Sequence, residues 1–424
     1  MNVLKRLAFA AGLTTMVLGG VGAAHAQANK TFNIWWFEDP TSSEGIAWTK
    51  ALNEFKAAHP DVTVNFQQKT FIQLQKAGSM ILNSNQAPDL LEYNKGNATA
   101  GLVASQGLLT PLDDVVKAKG WDKILTPGDL TLSKYDDNGV YGSGSIYGIS
   151  VYGEFVSAFY NKDMFKANGL SVPTTMDEFV ADMDAFKKKG ITPLALGGAD
   201  TSGQHLLYTL ALQKADDTWV QNYQGLKAPL DEAPYLYAAQ TMVDWENKGY
   251  ISKDSTGLKD PDAAQLFTSG KAPIYVSGTW NLGTFASTIK GFQWGQFLLP
   301  TPKYSVGSTG NLWVVPKGAQ NKDLAYDFID LLLSAKYQTE LANDGGVPIA
   351  ADPATITDPV GKNAAELFTD IAKKGGLGFY PDWPVPGFYD VLNQKDTGLL
   401  GGQLTPQAFV DQLKQTYDST QSSQ

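Results

Sequence analysis

The chain has 424 residues and a formal charge of −10 at pH 7, with 43% apolar and 18% charged residues, which excludes disordered and fibrous classes and leaves room for two domains or one large α/β unit. It has no cysteine, so disulfides, thiolate metal sites and cysteine nucleophiles are excluded together. Its one arginine is Arg6; without planar guanidinium forks elsewhere, and with an acidic balance, phosphate, carboxylate and nucleic-acid partners are disfavoured.

Residues 1–26 read as an address. Lys5 and Arg6 precede an apolar, glycine-containing run, and Ala24-His25-Ala26 supplies small residues at −3 and −1. This predicts a signal peptide cleaved before Gln27 and a free periplasmic protein. No later run reaches the roughly 18 apolar residues of a membrane span.

A strand is expected over 32–37. Thr41 and Glu44 have capping-box spacing, and Trp48, Leu52 and Phe55 recur at helical spacing until Pro60. Val62, Val64 and Phe66 alternate as in a strand. A helix follows over 71–83, then a strand over 88–94. Asp136-Asp137-Asn138-Gly139 marks a turn, and a β-rich stretch runs to Tyr160. The α/β rhythm then restarts: a capping box at Thr175 and Glu178, a helix carrying Phe179, Met183 and Phe186, and a strand over 193–196. Helices near 205–214, 234–248 and 261–269 lead to a strand over 273–277. A strand over 311–316, one helical stretch over 322–343, and helices near 362–374 and 405–418 complete the chain. Strands alternating with helices imply largely parallel sheets. Two such rounds without a linker imply an α/β fold of two lobes.

Ligands of open α/β sheets bind beyond the carboxyl ends of strands. Those ends bring forward Trp36, Glu38 and Asp39; Tyr93, Asn94 and Asn97; Gln204 and His205; Trp280; and Asn311 at the start of the late strand. Asp382 and Trp383 lie in the proline-rich loop YPDWPVPGFY. An indole beside carboxylates and amides suits a pyranose, whose C–H faces stack and whose hydroxyls need hydrogen-bond partners. No phosphate loop and no nucleophile elbow occurs, and two histidines beyond residue 26 cannot make a paired-histidine zinc motif. Asp136–Asn138 lacks the later glutamate of a calcium loop. No metal, cofactor or catalytic residue is expected. Paired carboxylates leave a secreted glycosidase as an alternative of another class.

FNIWWFED, WTKALNEFKAAHPDVTVNF, APDLLEY, GEFVSAFYNKDMFKANGLSVPTTMDEF, FTSGKAPIYVSGTWNL and NLWVVPKGAQNKDLAYDFIDLLLS occur in this order. Over 31–353 the chain resembles the extracellular solute-binding proteins of ABC importers, in the carbohydrate branch that includes maltodextrin-binding protein. The resemblance implies a two-lobe periplasmic-binding-protein fold with a hinge and a ligand cleft. Lobe one would hold 28–152 and 309–347, and lobe two 153–308 and 348–424. It also implies a monomeric, non-enzymatic receptor delivering a mono- or oligosaccharide to a membrane permease. Glu154 would be a ligand-contacting acid and Trp280 a stacking aromatic. A polyamine or amino sugar on the same fold is the nearer alternative, with Glu38, Glu92 and Glu154 pairing with ammonium. Sugar length and identity are not specified by the resemblance.

Overall fold

A computed structural model describes residues 30–423; the expected signal peptide lies outside them. The first sheet is built from β1 (Lys30–Trp36), β2 (Val62–Gln68) and β3 (Leu90–Tyr93), parallel to one another, with β11 (Leu312–Val314) returning antiparallel to β3. Alternation along β1 sends Phe32, Ile34 and Trp36 to one side and Trp35 to the other, so the sheet feeds two cores. The helix Ser43–Ala58 buries Trp48, Leu52 and Phe55 on one stripe, and Phe55 meets Phe328 at 5.5 Å.

The cap of this helix differs from the expected box. Ser42 is the N-cap, accepting from the Gly45 amide at 2.9 Å. The Thr41 hydroxyl instead donates to Asp39 at 2.7 Å. Glu44, one residue before Gly45, turns into the protein interior. The box at Thr175 and Glu178 forms as expected and starts the helix Met176–Lys188. The helical stretch over 322–343 is two helices, Lys322–Leu333 and Ala335–Asn343. Ser334 adopts an extended backbone between them and caps the second.

A hairpin of β4 (Lys134–Tyr135) and β5 (Ser145–Ile146) follows the first three strands. The second sheet is organised around the ten-residue β6 (Tyr152–Asn161). β8 (Ile274–Gly278) and β9 (Trp294–Phe297) pair with its carboxyl half, and β7 (Leu194–Ala195) extends the sheet beyond β8. β10 (Gly307–Thr309) and β12 (Val347–Pro348) pair with its amino end. Both Thr309 and Val347 face Gly153, so β10 and β12 lie on opposite edges of β6. The chain therefore passes between the sheets three times: into β6, from β10 to β11, and into β12. Gly310 bonds to Tyr152 at 2.7 Å, and Ser150 donates to the Gly310 carbonyl at 2.9 Å, tying two of these passages together. Helices Thr201–Ala211, Ala233–Asn247, Phe388–Leu400 and Pro406–Gln421 enclose the large core of the second lobe.

Candidate functional site: an acidic and aromatic cleft between the lobes

Residues two apart on a strand share a face. Tyr152 and Glu154 therefore look the same way from the amino end of β6. The Tyr152 hydroxyl donates to Glu38 at 3.2 Å and accepts from the Asn311 amide at 2.8 Å. Glu38 comes from the loop after β1, Asn311 from the second passage and Tyr152 from the first. The site thus begins as a junction of three distant segments. Behind Glu38, Glu92 accepts from the Trp48 indole at 3.4 Å, and one oxygen each of Glu44 and Glu92 has no partner.

On the second lobe, His205, Trp280, Tyr380 and Trp383 form a continuous aromatic group. Ring centroids are 5.6 Å apart for His205 and Trp280, 5.3 Å for His205 and Tyr380, and 5.5 Å for Tyr380 and Trp383. Trp280 is only half-buried, and its ring folds over Gly278. The Tyr380 hydroxyl lies beside Glu154 but outside hydrogen-bond geometry, without a partner.

Burial dominates the electrostatics. It raises Glu38 to about 7, with the neighbouring charge of Asp39 adding to the rise and the Tyr152 hydroxyl opposing it. Burial and the charge of Glu38 raise Glu154 to about 8 against the pull of Lys95. Burial raises Asp382 to about 6, and drives Glu44 and Glu92 well above the carboxylate range with Glu38 adding to each. The one cation among them, Lys95, is itself lowered by burial to about 7. Its ammonium reaches the Ser150 hydroxyl at 2.7 Å, the Thr309 carbonyl at 2.6 Å and the Thr309 hydroxyl at 2.7 Å. All three donors are used on the hinge, so Lys95 ties the loop after β3 to two interlobe passages. Burial lowers His205 to about 3, leaving a neutral ring with an unpartnered Nδ1. Among the described residues no three acidic or imidazole groups converge as metal ligands.

Of the residues singled out in the sequence, Glu38, Glu154, His205, Trp280, Asn311, Asp382 and Trp383 come together here. Others lie elsewhere. Trp36 stacks on Phe66 at 3.7 Å inside the first lobe. Tyr93 points to the opposite face from Glu92 and packs over Gly78 of the helix Phe71–Leu82. Asp39 is exposed and holds Thr41. Gln204 is buried between helices, donating to Asn393 at 3.0 Å. Asn94 is buried in its loop, where its carbonyl accepts from Thr99 at 2.8 Å. Asn97 bridges the lobes, donating to the Gln224 carbonyl at 2.9 Å while accepting from Tyr141. Tyr152, Lys95 and Tyr380 were not singled out. Tyr152 and Tyr380 each stand two residues before an acid that was, and that spacing was the available signal. A cavity of about 150 Å³ beside Trp219 and Tyr417 contains none of these cleft groups.

The first lobe with its hinge supplies hydroxyl and carboxyl groups, and the second adds an aromatic wall. That combination binds and orients a solute with polar edges and apolar faces. Solved structures share the two-lobe fold. A solved structure described as a chitin oligosaccharide binding protein superposes with a TM-score of 0.78 at 23% identity, over 92% of this chain and 99% of that one. A structure of the raffinose complex of the solute-binding protein RafE gives 0.72 at 16%, over 92% and 99%. A probable sugar-binding periplasmic protein of Rhizobium meliloti (strain 1021) is 24% identical over 374 residues, 84% of each chain. The diacetylchitobiose binding protein DasA of Streptomyces coelicolor (strain ATCC BAA-471 / A3(2) / M145) is 24% identical over 383 residues, covering 86% of this chain and 84% of its own. The family model for bacterial extracellular solute-binding protein matches residues 39–339, and the chain belongs to that family of exported binding proteins.

Proposed function

We propose that this protein is a carbohydrate receptor that closes two lobes on a saccharide and presents it to the membrane subunits of an ABC importer. The observation carrying the reading is the junction of Glu38, Tyr152, Asn311 and Glu154 opposite the His205–Trp280–Tyr380–Trp383 wall. Carboxyl groups raised by burial to about 6–8 are neutral or readily neutralised near pH 7. Titrating around neutrality, each can accept from or donate to a sugar hydroxyl, whereas a fixed ammonium needs them ionised. The surplus of acids over Lys95 still makes a polyamine or amino sugar the second reading. Lobe one comprises 28–152 and 309–347, and lobe two 153–308 and 348–424. The mature protein starts at Gln27 after signal cleavage, is periplasmic and acts as a monomer; no described helix is long and apolar enough to cross a membrane. Relatives described as sugar-binding support the ligand class.

A ligand that binds only the folded state at 100 times its Kd stabilises it by about 2.7 kcal/mol. A thermal-shift screen over monosaccharides, oligosaccharides, amino sugars and polyamines therefore tests the reading. A shift with a neutral saccharide is expected. A shift with polyamines alone would replace the carbohydrate by a cation, and release of monosaccharide from an oligosaccharide would indicate a glycosidase.

A further inference from the structure

The lobes touch directly on both sides of β6. On the β10 side, the Ala98 amide donates to the Trp383 carbonyl at 2.9 Å, and Asn97 donates to Gln224. Gly96 permits this approach. Its φ is +104°, and a Cβ there would stand 2.6 Å from the Trp383 ring. Gln224 also donates to the Tyr380 carbonyl at 3.0 Å, so the bridge is anchored to the aromatic loop itself. Nearby, Lys76 pairs with Asp390 at 3.5 Å and Phe71 meets Tyr389 at 6.0 Å, leaving a cavity of about 60 Å³ between the lobes. On the β12 side, Thr41 and Thr284 share a hydrogen bond at 3.1 Å. There Gly283 lies against Ser43, which donates to the Asp344 carbonyl beside the third passage.

Adjacent strands are about 4.8 Å apart, so β10, β6 and β12 together span about 10 Å at the hinge. The first set joins β10 through the bridge between Gly307 and Phe379, and the second reaches β12 through Asp344, so they lie on the two edges of that span with Glu154 and Tyr152 on the strand between. We propose that the cleft is closed on both flanks and takes a saccharide of one or two rings, wholly enclosed, instead of a longer chain threading from flank to flank. The inference rests on the carbohydrate reading and adds ligand length to it. Trp383, seated on Gly96, is then a specificity-determining residue: it ends the cleft on the β10 side.

Calorimetric titration with homologous series of one to four rings tests this, using glucose, xylose, galactose and N-acetylglucosamine oligomers. In any series that binds, the tightest member has one or two rings, and affinity falls at least tenfold at the third. Trp383→Ala should reduce that penalty to less than threefold, whereas a merely structural role would weaken all lengths alike. Should Trp383→Ala not fold, Asn97→Ala removes a bridge on the same flank and should narrow the penalty in the same direction. A three- or four-ring sugar binding the wild type as tightly as its shorter homologues overturns the inference while leaving the carbohydrate reading intact. Failure of every saccharide alongside binding of spermidine overturns both.

Discussion

Glu154 sits on β6 between Glu38 and the unpartnered Tyr380 hydroxyl, with burial and Glu38 holding its acid form up to about 8. Hydroxyls donated by a bound sugar would favour the carboxylate, so binding should release a proton. Wild-type affinity should then rise between about pH 6 and pH 8.5 by the linkage of protonation to binding. Glu154→Gln should bind nearly as well as wild type at about pH 6. It should bind about tenfold or more worse at pH 8.5, since hydrogen bonds to charged groups contribute roughly 1.5–3 kcal/mol. Equal affinities at both pH values would remove Glu154 from the ligand shell. Trp280 makes a complementary case. Its half-buried ring lies over Gly278 at the margin of the second-lobe core, so Trp280→Ala should cost less than the roughly 3–5 kcal/mol of a fully buried tryptophan. Sugar binding should lose on the order of 1–3 kcal/mol, by analogy with bases stacking on aromatics. Urea melts and titrations on the same variant read both. Carboxyl strand ends made Glu38 and Trp280 visible in the sequence, whereas Glu154, at the amino end of β6, was reached only through the family resemblance. It could not separate Glu92 from Tyr93 by composition. The strand's period of two does separate them, placing the tyrosine under a helix.

At the scale of elements, helix Thr201–Ala211 crosses Phe388–Leu400 where Gly203 faces Asp396. A Cβ on Gly203 would come within 2.2 Å of the Asp396 carboxylate. Gly203→Ala should therefore destabilise by about 1–3 kcal/mol, as overpacked cores do. Adding Asp396→Ala should recover part of that loss, and denaturant melts of the double-mutant cycle would show the coupling. Strict additivity would mean that the two helices do not meet as described. The helix Phe388–Leu400 was not foreseen. It follows a proline-rich loop and contains Gly398, and tertiary packing against Thr201–Ala211 outweighs that weak local signal. The stretch 322–343 shows the converse error. Its apolar spacing looks continuous, yet Ser334 ends one helix and caps the next, because a short hydroxyl competes for backbone donors.

Across the whole molecule, buried acids dominate the pH response. Glu38 is raised to about 7, Glu154 to about 8 and Asp382 to about 6. Burial raises Asp396 to about 8, with both of its oxygens unpartnered. Between the unfolded values near 4 and these folded values, the native state holds more protons. Stability should therefore fall as pH rises from about 5 to about 8. Lys95, lowered to about 7, acts with the opposite sign from about pH 7 to about 10, where the unfolded chain holds the extra proton. Urea midpoints should decline between about pH 5 and 8, and Asp396→Asn should flatten the decline; a rising midpoint in that window would contradict the burial of these acids. The two rounds of α/β rhythm were legible along the chain, and so was the family resemblance. The largely parallel sheets expected from that rhythm hold only in the first lobe: β6 pairs antiparallel with β8, β9, β10 and β12. What the chain order concealed is that β10 and β12, far apart in sequence, flank one residue of β6. That shared strand creates the hinge and brings Glu38, Asn311 and Glu154 to one place.

Glu38, Glu154 and Asp382 also bear on closure, because opening the cleft rehydrates them, whereas Asp396 stays between helices of the second lobe. At about pH 8.5 the empty cleft should be driven open by ionised carboxylates, and a saccharide touching both lobes should draw it closed. Small-angle scattering at that pH, with and without a saccharide shown by calorimetry to bind, tests the central claim most directly. The account predicts a smaller radius of gyration in the saturated protein. An unchanged scattering curve despite confirmed binding would contradict capture by lobe closure.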